Sequence, residues 1–333
     1  MPEIRYDVLG IGNAIVDVLA TIEDDFLVSE NLAKGTMHLV DAARAQTLHR
    51  HIPDAIERSG GSAGNTAAGV ASLGGRAAFI GKVADDPLGH LYKSDMARTG
   101  VHFATAPLPK GAPTAQSMIL ITPDGERTMN TYLGACQMLT PADIDADVVQ
   151  ASAVTYLEGY LWDPPEAKKA FRRAAEIAHA AGRKVSITLS DAFCVDRYRA
   201  EFLDLIRTRT VDILFANDSE VKSLYTTSSL DAAVAAVRQD CGLTAVTVGA
   251  DGALVVTPDG VTSVPTAPVD EIVDLTGAGD LFAAGFLYAV TRGLSLTDAA
   301  RLGNMAAAEV IGHIGPRPHV ALADLARQAG FAL

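Results

Sequence analysis

The chain has 333 residues, 49% of them hydrophobic and 20% charged, so it carries enough apolar surface for a large buried core. Its formal net charge of −13 opposes non-specific binding to nucleic acid or to an anionic membrane, because both require clustered cations. The cysteines Cys136, Cys194 and Cys241 stand far apart, without CxxC spacing or nearby histidines that would suit zinc, and read as thiols in a reducing compartment. The N-terminus lacks a cationic, then apolar, leader and no run of eighteen apolar residues occurs, so a soluble, cytoplasmic protein is expected.

In chain order, the first short apolar run is Val8–Ile11, followed by Gly10-Ile11-Gly12-Asn13-Ala14-Ile15. That stretch starts like a dinucleotide fingerprint, but Ile15 replaces its third glycine, which weighs against a Rossmann site. Asn13 and Asp17 then fall just past a strand's carboxyl end, where ligands sit in open α/β sheets, and a carboxylate there can accept two hydrogen bonds from a diol. A solvated loop carboxylate is the competing reading of Asp17. Gly60-Gly61-Ser62-Ala63-Gly64-Asn65 opens an apolar helix and offers backbone amides plus one amide side chain to a polyhydroxyl ligand, or forms a tight turn with Asn65 satisfied internally.

Further buried-strand runs are Ala78–Ile80, Val154–Leu157, Val185–Leu189, Ile213–Phe215 and Ala245–Val248, with helical stretches between them, the clearest from Pro165 to Ala181 with Gly182 as its stop. This alternation predicts an α/β fold with a mostly parallel sheet flanked by helices. Two segments break the rhythm, about 15–41 and 104–133, the second with a hairpin turn at Pro123-Asp124-Gly125. They predict a small β lid on a larger α/β unit made of about 1–14, 42–103 and 134–333. A second hairpin at Pro258-Asp259-Gly260 is assigned to the larger unit.

Arg127, beside the first hairpin, is the cation best suited to clamp a phosphate, although a hairpin arginine is often simply solvated. Asn217-Asp218-Ser219-Glu220 follows a buried run, where hard oxygens can hold magnesium through its waters or can cap a helix. Thr247, Gly249 and Gly252 close another strand with a turn suited to nucleotide phosphates or ribose. GxxxxGK[ST] is absent, which excludes a P-loop NTPase. Near the end, Asp274-Leu275-Thr276-Gly277-Ala278-Gly279-Asp280 opens a long apolar helix. Free N–H groups at Gly277, Ala278 and Gly279 would bind an anion with the helix dipole, and Asp280 could take a proton from an alcohol: the elements of phosphoryl transfer to a hydroxyl. Alone, the motif reads equally as a turn with a favourable helix-terminal charge.

Residues 60–89, GGSAGNTAAGVASLGGRAAFIGKVADDPLG, resemble the N-terminal signature of the ribokinase-like (PfkB) carbohydrate kinases, and residues 274–286 resemble their C-terminal one. The resemblance covers essentially the whole chain. Within that family GNAIVD, GERT, TYLEGYLW, TLSDAF and VDILFANDSE look most like the adenosine-phosphorylating members.

That resemblance implies a ribokinase-like fold and transfer from ATP, with Mg2+, to the 5′-hydroxyl of adenosine, with a sugar or another nucleoside as the alternative acceptor. It implies Asp280 as general base, Gly277, Ala278 and Gly279 as anion hole, and Arg127 beside the transferred phosphate. Asn13, Asp17, Gly61, Ser62 and Asn65 would hold the sugar, and Tyr160 or Trp162 would face the base. Magnesium and its waters would be organised by Asn217 and Glu220, and the ATP site lined by Thr247, Gly249, Gly252 and Asn304. Asp274, Thr276 and Gly315 match the region where relatives bind a monovalent cation such as K+. Met37 and His38 of the lid have no assigned role, and a monomer or a homodimer would be equally compatible.

Overall fold

Short runs of Val, Ile, Leu and Ala become strands buried on both faces, and the computed structural model describes residues 2–52 and 54–331. Along them the strands are β1 (Tyr6–Ile11), β2 (Ile15–Thr21), β3 (Met37–Leu39), β4 (Ile56–Ser59), β5 (Ala77–Ile80), β6 (Val101–Phe103), β7 (Ala115–Ile121), β8 (Arg127–Tyr132), β9 (Ser152–Glu158), β10 (Lys184–Thr188), β11 (Ile213–Asn217), β12 (Leu243–Thr247), β13 (Ala253–Thr257) and β14 (Gly260–Val264). Nine of them form one sheet in the order β14-β13-β12-β11-β10-β9-β1-β5-β6. Every pairing from β6 to β12 is parallel, and β13 pairs antiparallel with both β12 and β14.

Helices cover both faces. On one side, Pro165–Ala180 and Ala192–Arg207 bury Phe171, Phe202 and Trp162 against β9 and β10. On the other, Ser62–Ser72, Ala278–Thr291 and Leu296–Ile311 pack together. Ala278–Thr291 is apolar all round because it lies inside this layer, with Leu281, Phe282, Phe286 and Leu287 buried. Each such fully buried side chain stabilises the fold by about 1.5–3 kcal/mol relative to an exposed one.

The second sheet has the order β3-β8-β7-β2-β4. One of its faces presents Val16, Val18, Met118 and Leu120 to Ala45 and Leu48 of the helix Ala42–His51. This differs from the boundary read in the sequence, which left residues 42–59 in the larger unit: β4 pairs antiparallel with β2, and the helix before it covers the same sheet. The signal was weak because β4, Ile-Glu-Arg-Ser, is short and half exposed.

Candidate active site

Asp280 lies in the first turn of Ala278–Thr291, whose N-cap Gly277 has φ 84°, a left-handed conformation suited to glycine. Its Oδ1 accepts from Ser62 Oγ at 2.6 Å and its Oδ2 from Asn65 Nδ2 at 2.9 Å. The two glycine-rich segments, more than two hundred residues apart, thus close on one carboxylate. Burial raises the Asp280 pKa, opposed by these two hydrogen bonds and by the charge of Arg317. Each oxygen keeps a further lone pair for a substrate hydroxyl. The N–H groups of Gly277 and Gly279 meet no protein acceptor among the described residues, and an added Cβ at Gly279 would enter open space. Ala278 departs from the sequence reading: its N–H donates to Leu275 O at 3.2 Å, so in this conformation it closes a turn.

Asp17, on β2, is 8% exposed, and burial pushes its pKa up to about 7; Arg317 and Arg127 act against that rise and Asp280 adds to it. Gly60 lies flat on this carboxylate, where a Cβ would stand 2.2 Å from Oδ2. Asn13 is buried, and its Nδ2 donates to Glu158 Oε1 at 2.7 Å. Asn13 Oδ1 and Asn65 Oδ1 are both buried without a hydrogen-bond partner among the described residues. Gly61 supports the same turn, its Cα lying close over Asn13 O. A cleft of about 480 Å³ opens beside Asp17, walled by Leu19, Ile121, Ile314, Pro316 and Arg317.

Arg127 begins β8 and reaches across to the loop before the helix Ala278–Thr291. Its guanidinium pairs with Asp274 and donates to Thr276 Oγ1 at 2.5 Å. Asp274, 5% exposed, also accepts from Thr276 N at 2.9 Å and from Gly315 N at 2.8 Å. The three residues that match the monovalent-cation region, Asp274, Thr276 and Gly315, are thus joined directly, the Asp274 carboxylate taking donors from Thr276, Gly315 and Arg127. Among the described residues, no group of three His, Cys, Asp or Glu comes together to hold a metal.

At the far end of the sheet, Asn217 and Thr247 stand side by side in register at the carboxyl ends of β11 and β12. Asn217 caps the helix Asp218–Leu224, and the buried Glu220 carboxylate accepts from Asn217 N at 3.0 Å. Burial raises Glu220 to a pKa of about 7. Gly249 is exposed at a φ of 51°, and Gly252 is wedged against Val264 O. Asn304 is buried and donates to Val264 O and to Pro265 O at 2.8 Å, which fixes the segment after β14 beside that turn.

Trp162 is corrected outright: it is fully buried between Phe171 and Phe202, and its Nε1 donates to Glu201 at 2.9 Å. Tyr160, two residues earlier on a 3-10 turn, is 43% exposed, with its hydroxyl donating to Ser190 O. Of the two aromatics only Tyr160 has a face for a ligand. Met37 and Leu39 of β3 are likewise exposed. Two residues escaped the sequence reading. Glu158 is a lone acid inside an apolar strand, which was the available signal; Arg317 sits in a Gly-Pro-Arg-Pro loop, and its Nη2 donates to Ser59 O at 2.9 Å while its charge faces Asp17 and Asp280.

Among the described residues, no helix is long and apolar enough to cross a membrane. A family model described as "pfkB family carbohydrate kinase" matches residues 32–321. A solved adenosine kinase from Sinorhizobium meliloti is 57% identical, with a TM-score of 0.90, over 98% of this chain and 100% of that one. A probable sugar kinase from Rhizobium etli CFN 42 is 53% identical, with a TM-score of 0.91, over 98% and 99%. The probable fructokinase-3 of Arabidopsis thaliana is 30% identical over 257 residues, 75% of this chain and 74% of its own length. With both glycine signatures meeting at Asp280 and the family match running through them, the chain belongs to the pfkB family of carbohydrate kinases and is a phosphotransferase that acts on a hydroxyl group.

Proposed function

We propose that this enzyme phosphorylates the 5′-hydroxyl of adenosine, using ATP and Mg2+ and giving AMP and ADP. The observation that carries the chemistry is Asp280, held by Ser62 and Asn65 at a helix mouth where the Gly277 and Gly279 N–H groups lack protein acceptors. The 57% identity to an adenosine kinase over nearly the whole chain supports the acceptor.

The cofactor side is compatible with a nucleotide: the Gly279 amide opens outward, and Asn217, Thr247 and Gly249 lie together at the strand ends. Bound ATP with its magnesium would supply the transferable phosphoryl group and neutralise charge around it. Asn217 and Glu220 are occupied with each other, so they would meet the ion through its waters. Asp280 accepts the hydroxyl proton as the oxygen attacks, and the glycine amides carry the charge that develops at the helix end. Asp17, Asn13 and Asn65 present acceptors to the sugar's hydroxyl donors, a set that disfavours an anionic acceptor. The second sheet, tied down through Arg127, shields the reaction from water.

A sugar acceptor is the second reading, favoured by the likeness to a probable sugar kinase and to a probable fructokinase. ADP release in a coupled assay, with adenosine, other nucleosides, ribose and fructose offered separately, tests the two. Saturable turnover with adenosine supports the proposal; turnover only with a sugar replaces it.

A further inference from the structure

At the carboxyl end of β9, the Glu158 carboxylate is 1% exposed and every contact it makes leads to the acceptor site. Its Oε1 takes the Asn13 side-chain N–H at 2.7 Å. Oε2 takes the Ala63 N–H at 2.9 Å and the Asn13 backbone N–H at 3.3 Å. Gly12 makes room for it, since a Cβ there would stand 2.2 Å from Oε2. An ionised carboxylate only accepts, so Asn13 must turn Nδ2 toward Glu158 and leave Oδ1 for something else. That oxygen is buried and unpartnered among the described residues, as is Asn65 Oδ1, and Asn65 stands about one turn beyond Ser62 on the helix Ser62–Ser72, whose second residue is Ala63.

We propose that Glu158 is a positioning residue: it fixes the Asn13 amide so that Oδ1 faces a substrate hydroxyl, and it pins the start of the helix that carries Ser62 and Asn65 to Asp280. This rests on the reading of Asn13, Asp17 and Asn65 as the site of a polyhydroxyl acceptor. Glu158, 1% exposed, acts on the acceptor site through Asn13 and the start of that helix.

The orientation follows from charge. A protonated Glu158 would donate to Asn13 Oδ1, and the amide would turn and offer Nδ2 to a hydroxyl that needs an acceptor. Burial raises Glu158 to a pKa of about 7, which the Ala63 and Asn13 hydrogen bonds oppose and Asp280 reinforces. The other titratable groups that sense its charge are Tyr92, Tyr156, Tyr160 and Cys136, all held neutral at pH 7 by their own burial. Asp17 titrates in the same range, so acceptor affinity should weaken with two protons as pH falls through 7.

Glu158→Gln is the test, because glutamine keeps the two backbone contacts but faces Asn13 with an NH2. The acceptor KM should rise about tenfold, the loss expected of one reversed hydrogen bond, with the effect on KM rather than kcat. Its pH dependence should drop from two protons to one. Asn13→Asp combined with Glu158→Gln restores an outward-facing acceptor oxygen, and should return the KM to within about threefold of the parent. A parent-like KM and pH profile in Glu158→Gln, or a stably folded double variant no better than the single one, overturns the proposal. Should Glu158→Gln fail to fold, the same coupling is read by comparing Asn13→Asp with the double variant; no gain there overturns it. The acceptor used is the one the parent turns over: a parent active on fructose and not on adenosine refutes the adenosine reading alone, and the KM comparison then proceeds with fructose.

Discussion

Asp274→Asn should be among the more damaging single-atom changes in this chain, and its cost can be worked from the contacts. The carboxylate is 5% exposed and accepts from two backbone N–H groups while pairing with Arg127. Asparagine can serve only one side of this set; its NH2 must face a donor, and the Arg127 guanidinium, itself little exposed, keeps only Thr276. Breaking a buried pair from one side costs about 3–5 kcal/mol. With an unfolding entropy of about 2.1 cal/mol/K per residue, that corresponds to a fall in Tm of about 4–7 °C for a chain of this length. Arg127→Gln should cost less, because Asp274 retains both backbone donors. Scanning calorimetry of the parent and the two variants measures this. A Tm for Asp274→Asn within 1 °C of the parent, or a larger loss for Arg127→Gln, would refute the reasoning.

Asp280→Asn should lower kcat about 10²–10⁴-fold with little change in acceptor KM, since a general base acts mainly in the transition state; undiminished turnover in a steady-state assay would end that assignment. Asp17→Ala should instead raise the acceptor KM, and an unchanged KM would remove its role in holding the sugar. Stability and acceptor binding should respond oppositely to pH. Asp17, Glu158 and Glu220 are each raised to about 7 in the fold by burial, so the stability tied to their protonated forms is lost as pH rises through 7. Unfolding free energy should therefore increase by about 1 kcal/mol per group from pH 8 to pH 6. Over the same interval kcat/KM should fall, and denaturant melts that move the other way would show these acids to be stabilised in their charged forms.

The larger sheet was legible because its parallel strands are covered on both faces and so appear as unbroken apolar runs, as in Val185–Leu189 and Ala245–Val248. The smaller one was legible only in part. Its β2–β7 pairing joins segments about a hundred residues apart, and nothing local in Ile56–Ser59 announces a partner. Asp280, Asp17 and Asn65 stood out since glycines flank or precede them. Trp162 misled because adjacent aromatics in TYLEGYLW carry no signal of direction; the 3-10 turn sends Tyr160 outward and Trp162 into the core. The arginine at 317 was illegible, for its partners at Ser59, Asp17 and Asp280 lie at least 37 residues away in sequence and meet only in the fold.

The pairing of Arg127 with Asp274 bears on how this enzyme could be re-engineered. Arg127 stands opposite Ile121 in the β7–β8 register. Because side chains alternate along a strand, a one-residue insertion in the 123–125 turn that slipped β8 would turn the guanidinium toward the helix Ala42–His51 and leave Asp274 without it. The smaller sheet is thus not an interchangeable part. A chimera that grafts this sheet from a relative with another acceptor preference must conserve hairpin length before it conserves any residue that touches the acceptor.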